Sequence, residues 1–306
     1  DEIGTQTANE SFEITITAYD EHHNVATGYE GTADLKDTTE TIEPNTIDFT
    51  GGSATPSVTI TKAQEDVELT ATDQNDDSIT GTSNKFTVSP GDVDEVEIEP
   101  AEDRTIEAGE ELDFSAEAYD SEGNLITDDD SNFTWAAGEG SISDSGLFDE
   151  TEVGDYVVTA KYDGVTSSST TVTVEPAEVD SVAISPDEDQ TVAAGETIEF
   201  SAEARDEHDN LITNEAGDFN WTNADETGTF DETEVGEYEV TAEFNQVESS
   251  PTKVTVITTN VSYVTIDPSG VQEVVAGEAI DFSAAAYDEE DNLVEDNDSE
   301  FDWSAG

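Results

Sequence analysis

The stretch Ala-Gly-Glu-Glu-Leu-Asp-Phe-Ser-Ala-Glu-Ala-Tyr-Asp, from Ala108 to Asp120, recurs with few changes at 194–206 and 276–288. A chain built from recurring stretches folds as recurring units, so the repeat sets the architecture before any other feature is weighed. Its register is fixed by Gly109, Gly195 and Gly277, spaced 86 and 82 residues apart, and by Trp135, Trp221 and Trp303, each 26 residues after its glycine. The residues divide into a divergent unit at 1–91, two full repeats at 92–177 and 178–258, and the N-terminal part of a further repeat at 259–306.

Within each unit the apolar residues alternate with polar ones, the period of a strand with one face buried. In the first unit Phe12, Ile14, Ile16 and Ala18 alternate with Glu13, Thr15 and Thr17; further strands are expected at 28–35, 57–61, 67–71 and 85–88. The second unit carries Val93, Val96 and Ile98 before Pro100, then Leu112, Phe114, Ala116 and Ala118. Phe133, Trp135, Phe148, Tyr156, Val158, Ala160, Val172 and Val174 follow in the same rhythm. The third repeats it from Val182 to Val256, and in Tyr238–Phe244 every position between the apolar ones is Glu or Thr. About seven short strands, one buried Trp and no helical period predict an all-β chain of antiparallel β-sandwich domains in an extended array.

The motifs that repeat are similar to those of known domains. In the first unit Ile16-Thr17-Ala18-Tyr19-Asp20, Asn24 to Tyr29 and Thr80 to Asn84 resemble the immunoglobulin-like repeats of large prokaryotic surface proteins. Over 92–306, Val-x-x-Val-x-Ile-x-Pro at Val93 and Val179, Ala-Gly-Glu, Phe-x-Trp, and Gly-x-Tyr-x-Val-Thr-Ala at Gly154 and Gly236 resemble the group 2 bacterial immunoglobulin-like domain. That resemblance implies building stalks and adhesive arrays on cell surfaces, without catalysis. The interval from Trp to the next Phe shortens between Trp135–Phe148 and Trp221–Phe230, which affects a loop.

Charge narrows the setting. Seven Lys and Arg against 78 Asp and Glu leave a formal charge of −71, which at low salt drives a compact state apart. At molar salt the Debye length contracts to about 3 Å, and a carboxylate-coated surface becomes tolerable. The composition therefore reads as halophilic, and the resemblance together with that charge as haloarchaeal. A disordered acidic chain is the competing reading, opposed by the ordered repeats and by 12 Phe and 8 Tyr. So few cations disfavour nucleic acid and anionic lipid as partners. The partners expected are copies of itself or other surface proteins. No apolar run approaches the roughly 18 residues of a membrane span, so no direct membrane insertion is expected from this segment.

Several residues are candidates for chemistry. Asp20/Asn24, Asp120/Asn124, Asp206/Asn210 and Asp288/Asn292 stand in one frame, each beside further carboxylates. Oxygen-rich turns can hold a hard cation such as Ca²⁺, although Asp and Asn in turns more often bond their own backbone. The junction acids Asp92, Asp94, Glu95, Glu178 and Asp180 form a second cation candidate, because short linkers bring neighbouring domains close. No EF-hand spacing occurs. The absence of Cys removes disulfides and thiolate metal sites. His22, His23 and His208 lack a recurrent nucleophile, and catalysis is not expected. Asn9, Asn132, Asn220, Asn260 and Asn297 each open an Asn-x-Ser/Thr pattern and are candidate N-glycosylation sites on a secreted chain.

The reading that follows is a structural region of an extracellular cell-surface protein: stalk, surface layer, filament or adhesin. Alternatives are an accessory region of a secreted halophilic hydrolase and a virion fibre. With no Met in the sequence, Asp1 is expected to follow signal-peptide removal or a cut in a longer protein. The last repeat stops at Gly306 before its later strands. Either the polypeptide is expected to continue, or a neighbouring molecule to donate the missing strands.

Overall fold

The computed structural model describes residues 2–304; the expectations attached to Asp1 and Gly306 lie outside them. The chain is all-β, with no α-helix among the described residues. Among those residues, three single-turn 3-10 helices interrupt the strands, at Asp130–Asn132, Ala216–Asp218 and Asp298–Glu300. Contacts divide it into two compact units, one made of Asp1–Ile106 and Glu110–Val174, the other of Glu107–Gly109 and Glu175–Gly306. The first unit holds residues 1–91 and most of 92–177, and the second holds 178 onward with the short pieces 107–109 and 175–177.

The third repeat shows the plan. One sheet runs Val179–Ser185, Ser201–Asp206, Leu211–Thr213; the facing sheet runs Gln190–Ala193, Thr252–Ile257, Gly236–Phe244, Asn220–Thr222, with Val247–Glu248 added to Gly236–Phe244. Alternation explains the packing, since a strand turns every second side chain to the same face. Val182, Ile184, Phe200, Ala202, Ala204, Phe219, Phe230, Val240, Ala242, Val254 and Val256 point inward and make one buried cluster. Val96, Ile98, Ala116, Ala118, Phe133 and Ala160 do so in the second repeat. The first repeat closes its own core around Leu35, Val58, Ile60, Val67 and Val88.

Three features differ from the sequence expectation. Not all pairing is antiparallel, because Gln6–Thr7 pairs parallel with Phe86–Ser89 and Gln190–Ala193 with Thr252–Ile257. The chain enters each of these sheets beside the strand by which it leaves, a pairing that no local alternation signals. Trp135 and Trp221 are half-buried, not buried. Their indole N–H groups donate to the carbonyls of Asp130 and Ala216, at 3.1 Å each, so the ring lies over the 3-10 turn with its polar edge satisfied. Finally, Thr241 is buried where the pattern set it outward. The added strand Val247–Glu248 covers it, and its hydroxyl donates to Glu248 at 2.9 Å.

The strand of the Val-x-x-Val-x-Ile-x-Pro motif ends where proline removes a donor. Pro100 and Pro186 still serve as acceptors, from the hydroxyls of the buried Thr170 and Thr252 at 2.9 Å. In the last repeat only a three-stranded sheet is present among the described residues, Tyr263–Asp267, Ser283–Tyr287 and Leu293–Glu295. Val264 and Ile266 are each 50% exposed, against 5% and 7% for Val96 and Ile98, and Phe282 and Trp303 are exposed as well. The open face is the one expected for a repeat without its later strands.

Candidate functional site

The Asp/Asn frame is the most regular polar structure in the chain. Ser115–Asp120 ends at Asp120, and the backbone then folds back on itself. Asp120 N–H donates to the Asn124 carbonyl at 3.0 Å, and Gly123, with φ +76°, donates back to Asp120 O. One carboxylate oxygen of Asp120 accepts the N–H groups of Glu122 and Asn124, at 3.0 and 2.8 Å. The other accepts the Asn124 side-chain amide at 2.8 Å. Short polar side chains that bond their own backbone make such hairpins cheap to form.

The same two side chains also reach out of the hairpin. The second carboxylate oxygen of Asp120 accepts the N–H of Gly91, in the linker, at 2.8 Å. Asn124 Nδ2 donates to the Thr61 carbonyl of the preceding repeat, and its Oδ1 accepts the Ala63 N–H, both at 2.8 Å. In the other compact unit Asp288 and Asn292 repeat this. Asp288 accepts the linker N–H of Thr259 at 3.2 Å, and Asn292 bonds Thr233 O at 2.9 Å and Val235 N–H at 3.2 Å. Asp206 likewise accepts the linker N–H of Ala177 at 2.9 Å. The frame is a clasp, in which the aspartate holds the incoming linker and, in the two pairs described, the asparagine holds a loop two residues wide.

Electrostatics follow from burial. Asp120, Asp206 and Asp288 are 5%, 3% and 0% exposed. Desolvation pushes each carboxyl up, but the asparagine side chain and three backbone N–H groups together outweigh it and hold the group below the usual carboxylate range. Asp20 is also held low, first by the Asn24 N–H, then by the Asn24 side chain and the His22 N–H. It remains exposed.

The structure separates the candidate residues by role. Asp120, Asn124, Asp206 and Asn210 sit in clasps, where N–H donors occupy the aspartate oxygens. Asp92, Asp94, Glu95, Glu178 and Asp180 lie on the linkers and following strands, beside the register shifts at Val93/Glu95 and Val179/Ser181. Among the described residues no three His, Asp or Glu side chains converge in a metal-binding arrangement. Asn9, Asn132, Asn220, Asn260 and Asn297 are all exposed. Asn132 donates to Thr127 Oγ1, and Asn297 accepts from Ser299. The residues missed from sequence are Thr61, Ala63, Gly91, Ala177, Thr233, Val235 and Thr259, which act through backbone atoms. For Thr233 and Val235 a signal existed in the identical Asp-Glu-Thr-Glu-Val-Gly at 149–154 and 231–236.

No family model matches the chain, and no curated protein matches it. Among solved structures it is similar to invasin, a bacterial integrin-binding protein, at 15% identity and TM-score 0.41, covering 87% of this chain and 60% of that one. It is similar to extracellular cadherin domains 1–4 of protocadherin gamma B7, at 13% identity and TM-score 0.46, covering 93% of this chain and 83% of that one. Surface layer protein SbsC, domains 1–6, aligns at 18% identity and TM-score 0.29, over 96% of this chain and 43% of that one. The chain thus spans less than two thirds of the invasin and SbsC structures.

Proposed function

We propose that this chain is a non-catalytic structural region of a secreted halophilic surface protein, a stalk, surface-layer component, filament or adhesin. Its immunoglobulin-like repeats would lie at 1–91, 92–177, 178–258 and 259–306. The observation that carries the reading is the clasp. The polar side chains that recur most strictly are spent on joining linker to hairpin and loop to hairpin, which is what a load-transmitting array requires. The surplus of 71 negative charges supports a medium of high salt, where such a surface stays hydrated and unrepelled. Asn9, Asn132, Asn220, Asn260 and Asn297 are proposed acceptors of N-glycans. Asn220 lies on the sheet-edge strand Asn220–Thr222, where a sugar would also block pairing with other strands. Protease shaving of intact cells, followed by peptide mass spectrometry, is expected to release these repeats and to show glycan mass on at least one of the five sites. Recovery of the chain only from lysed cells would sink the surface assignment.

A further inference from the structure

The first repeat carries the same clasp as the others, with its outer half unused. Asp20 Oδ1 accepts the N–H groups of His22 and Asn24, both at 2.9 Å, and Asn24 Nδ2 lies 3.3 and 3.2 Å from the two Asp20 oxygens. The hairpin is closed as at Asp120, with Asp20 N–H on Asn24 O at 2.8 Å and His23 in the left-handed region at φ +63°. Yet among the described residues no linker N–H reaches Asp20, and Asn24 holds no loop. Asp120, Asp206 and Asp288 are buried under such partners, whereas Asp20 is exposed.

The strand leading into this clasp is open as well. Ile14 and Ala18 donate to Pro56 O at 3.1 Å and Gly52 O at 2.9 Å, so the even-numbered N–H groups face residues 52–58. Backbone alternation then turns Thr15, Thr17 and Tyr19 to the opposite edge. Among the described residues no strand pairs there. In the later repeats the matching edge is always filled. Val93–Glu99 pairs with Ser115–Asp120, Val179–Ser185 with Ser201–Asp206, and Tyr263–Asp267 with Ser283–Tyr287. In the second and third repeats those partner strands carry the Val-x-Ile pairs that complete the cores. Ala116 and Ala118 are 2% and 0% exposed beneath theirs, while Ile16 and Ala18 stay half-buried.

We propose that the Thr15–Tyr19 edge and the Asp20/Asn24 pair form one docking surface for an extended segment of the Val-x-x-Val-x-Ile-x-Pro class. The segment arrives with the linker of a neighbouring immunoglobulin-like repeat. It runs antiparallel to 15–19, sets its Val and Ile over Ile16 and Ala18, and places the N–H ahead of it on Asp20. The neighbour's loop offers a carbonyl and an N–H two residues apart to Asn24, as Thr61/Ala63 and Thr233/Val235 do for Asn124 and Asn292. Strand addition of this kind draws affinity from main-chain bonds and specificity from alternate side chains. The inference rests on the clasp reading of the later repeats.

The test attaches a second copy of residues 177–186 ahead of Asp1, so that the counterpart of the Ala177 N–H is included. Ala8 N–H bonds Ser89 O as Ala194 N–H bonds Ile257 O. Counting back from that match sets residue 1 level with Asp187, so the added proline falls where Pro186 does. Amide hydrogen exchange is followed by NMR in molar salt. Thr15, Thr17 and Tyr19 are expected to exchange at least about tenfold more slowly than in the unextended chain, and Val182→Asp with Ile184→Asp in the added copy is expected to remove that protection. Equal rates with and without the extension overturn the proposal. So does protection already present in the unextended chain that disappears on dilution, since a second copy would then occupy the edge. Asp288→Asn separates the two readings. If Thr259 N–H exchanges unchanged in that variant, the clasp itself is wrong; if it speeds up while 15–19 stay unprotected, only the docking surface is wrong.

Discussion

At the scale of single residues, the clasp makes two quantitative claims. Asn124 bonds both Thr61 O and Ala63 N–H, and net intramolecular hydrogen bonds contribute about 0.5–1.5 kcal/mol each. Asn124→Ala is therefore expected to destabilise the unit holding the first two repeats by about 1–3 kcal/mol, read from urea unfolding in molar salt. A loss no larger than that of an exposed control such as Asn132→Ala would contradict it. The second claim concerns acid. Asp120, Asp206 and Asp288 ionise below the usual carboxylate range in the folded state. Their stabilisation is thus full above the unfolded value of about 3.9 and is lost as pH falls through the lower folded value. Unfolding free energy should hold steady from neutral pH to about 5 and fall below about 4. Asp120→Asn should flatten that fall for the unit it belongs to; an unchanged slope would show that the clasp carboxylate is not the group titrating.

At the scale of elements, the strands were largely legible because alternation writes burial into the sequence. Phe114, Phe148 and Phe230 are among the largest fully buried side chains; Phe114 lies in the alternating run from Leu112 to Ala118, while Phe148 and Phe230 sit in two-residue strands. Phe148→Ala is expected to cost about 3–5 kcal/mol, since the cavity left between two sheets relaxes only in part. The turn before that strand was less legible. Gly146 has φ +82°, and a Cβ there would stand 2.2 Å from Phe114 O; Gly228 matches it, with φ +79° and 2.3 Å to Phe200 O. Both approach the backbone closely because Phe114 and Phe200 donate to the carbonyls of these glycines at 2.9 and 2.8 Å. Gly146→Ala combines left-handed strain with a backbone clash, so circular dichroism melts should show a loss of more than about 1 kcal/mol, opposite in sign to the gain that an unstrained Gly-to-Ala change brings. A melt equal to the parent's would mean the turn can open without penalty.

For the whole molecule, charge decides the conditions under which the fold holds. Even if all seven cations were paired, 71 acids would remain unneutralised. Exposed contacts such as Lys85 with Asp66 and Arg205 with Glu203 are worth little individually. Lowering salt from about 1 M to 0.1 M lengthens the Debye length from about 3 to 10 Å and lets carboxylates on neighbouring strands repel. Cooperative loss of β-structure on dialysis to low salt is expected, followed by circular dichroism. A spectrum unchanged at low salt would remove the halophilic reading while leaving the fold untouched.

By itself the sequence determined the repeat, its period, the all-β class and the inward residues, because each of these is local. Alternation is a property of a few consecutive side chains, and repetition needs only comparison of the chain with itself. The Asp/Asn frame was visible in the same way, but its role was not. Whether Asn124 faces a cation, water or another loop depends on Thr61 and Ala63, some sixty residues earlier, and those contribute only main-chain atoms, which every residue possesses. The parallel pairing of Gln190–Ala193 with Thr252–Ile257 and the covering of Thr241 by Glu248 were likewise decided in three dimensions. The same holds for the open edge at Thr15–Tyr19. Its side chains alternate as in every other strand, and only the tertiary structure shows which strands have a neighbour on each side.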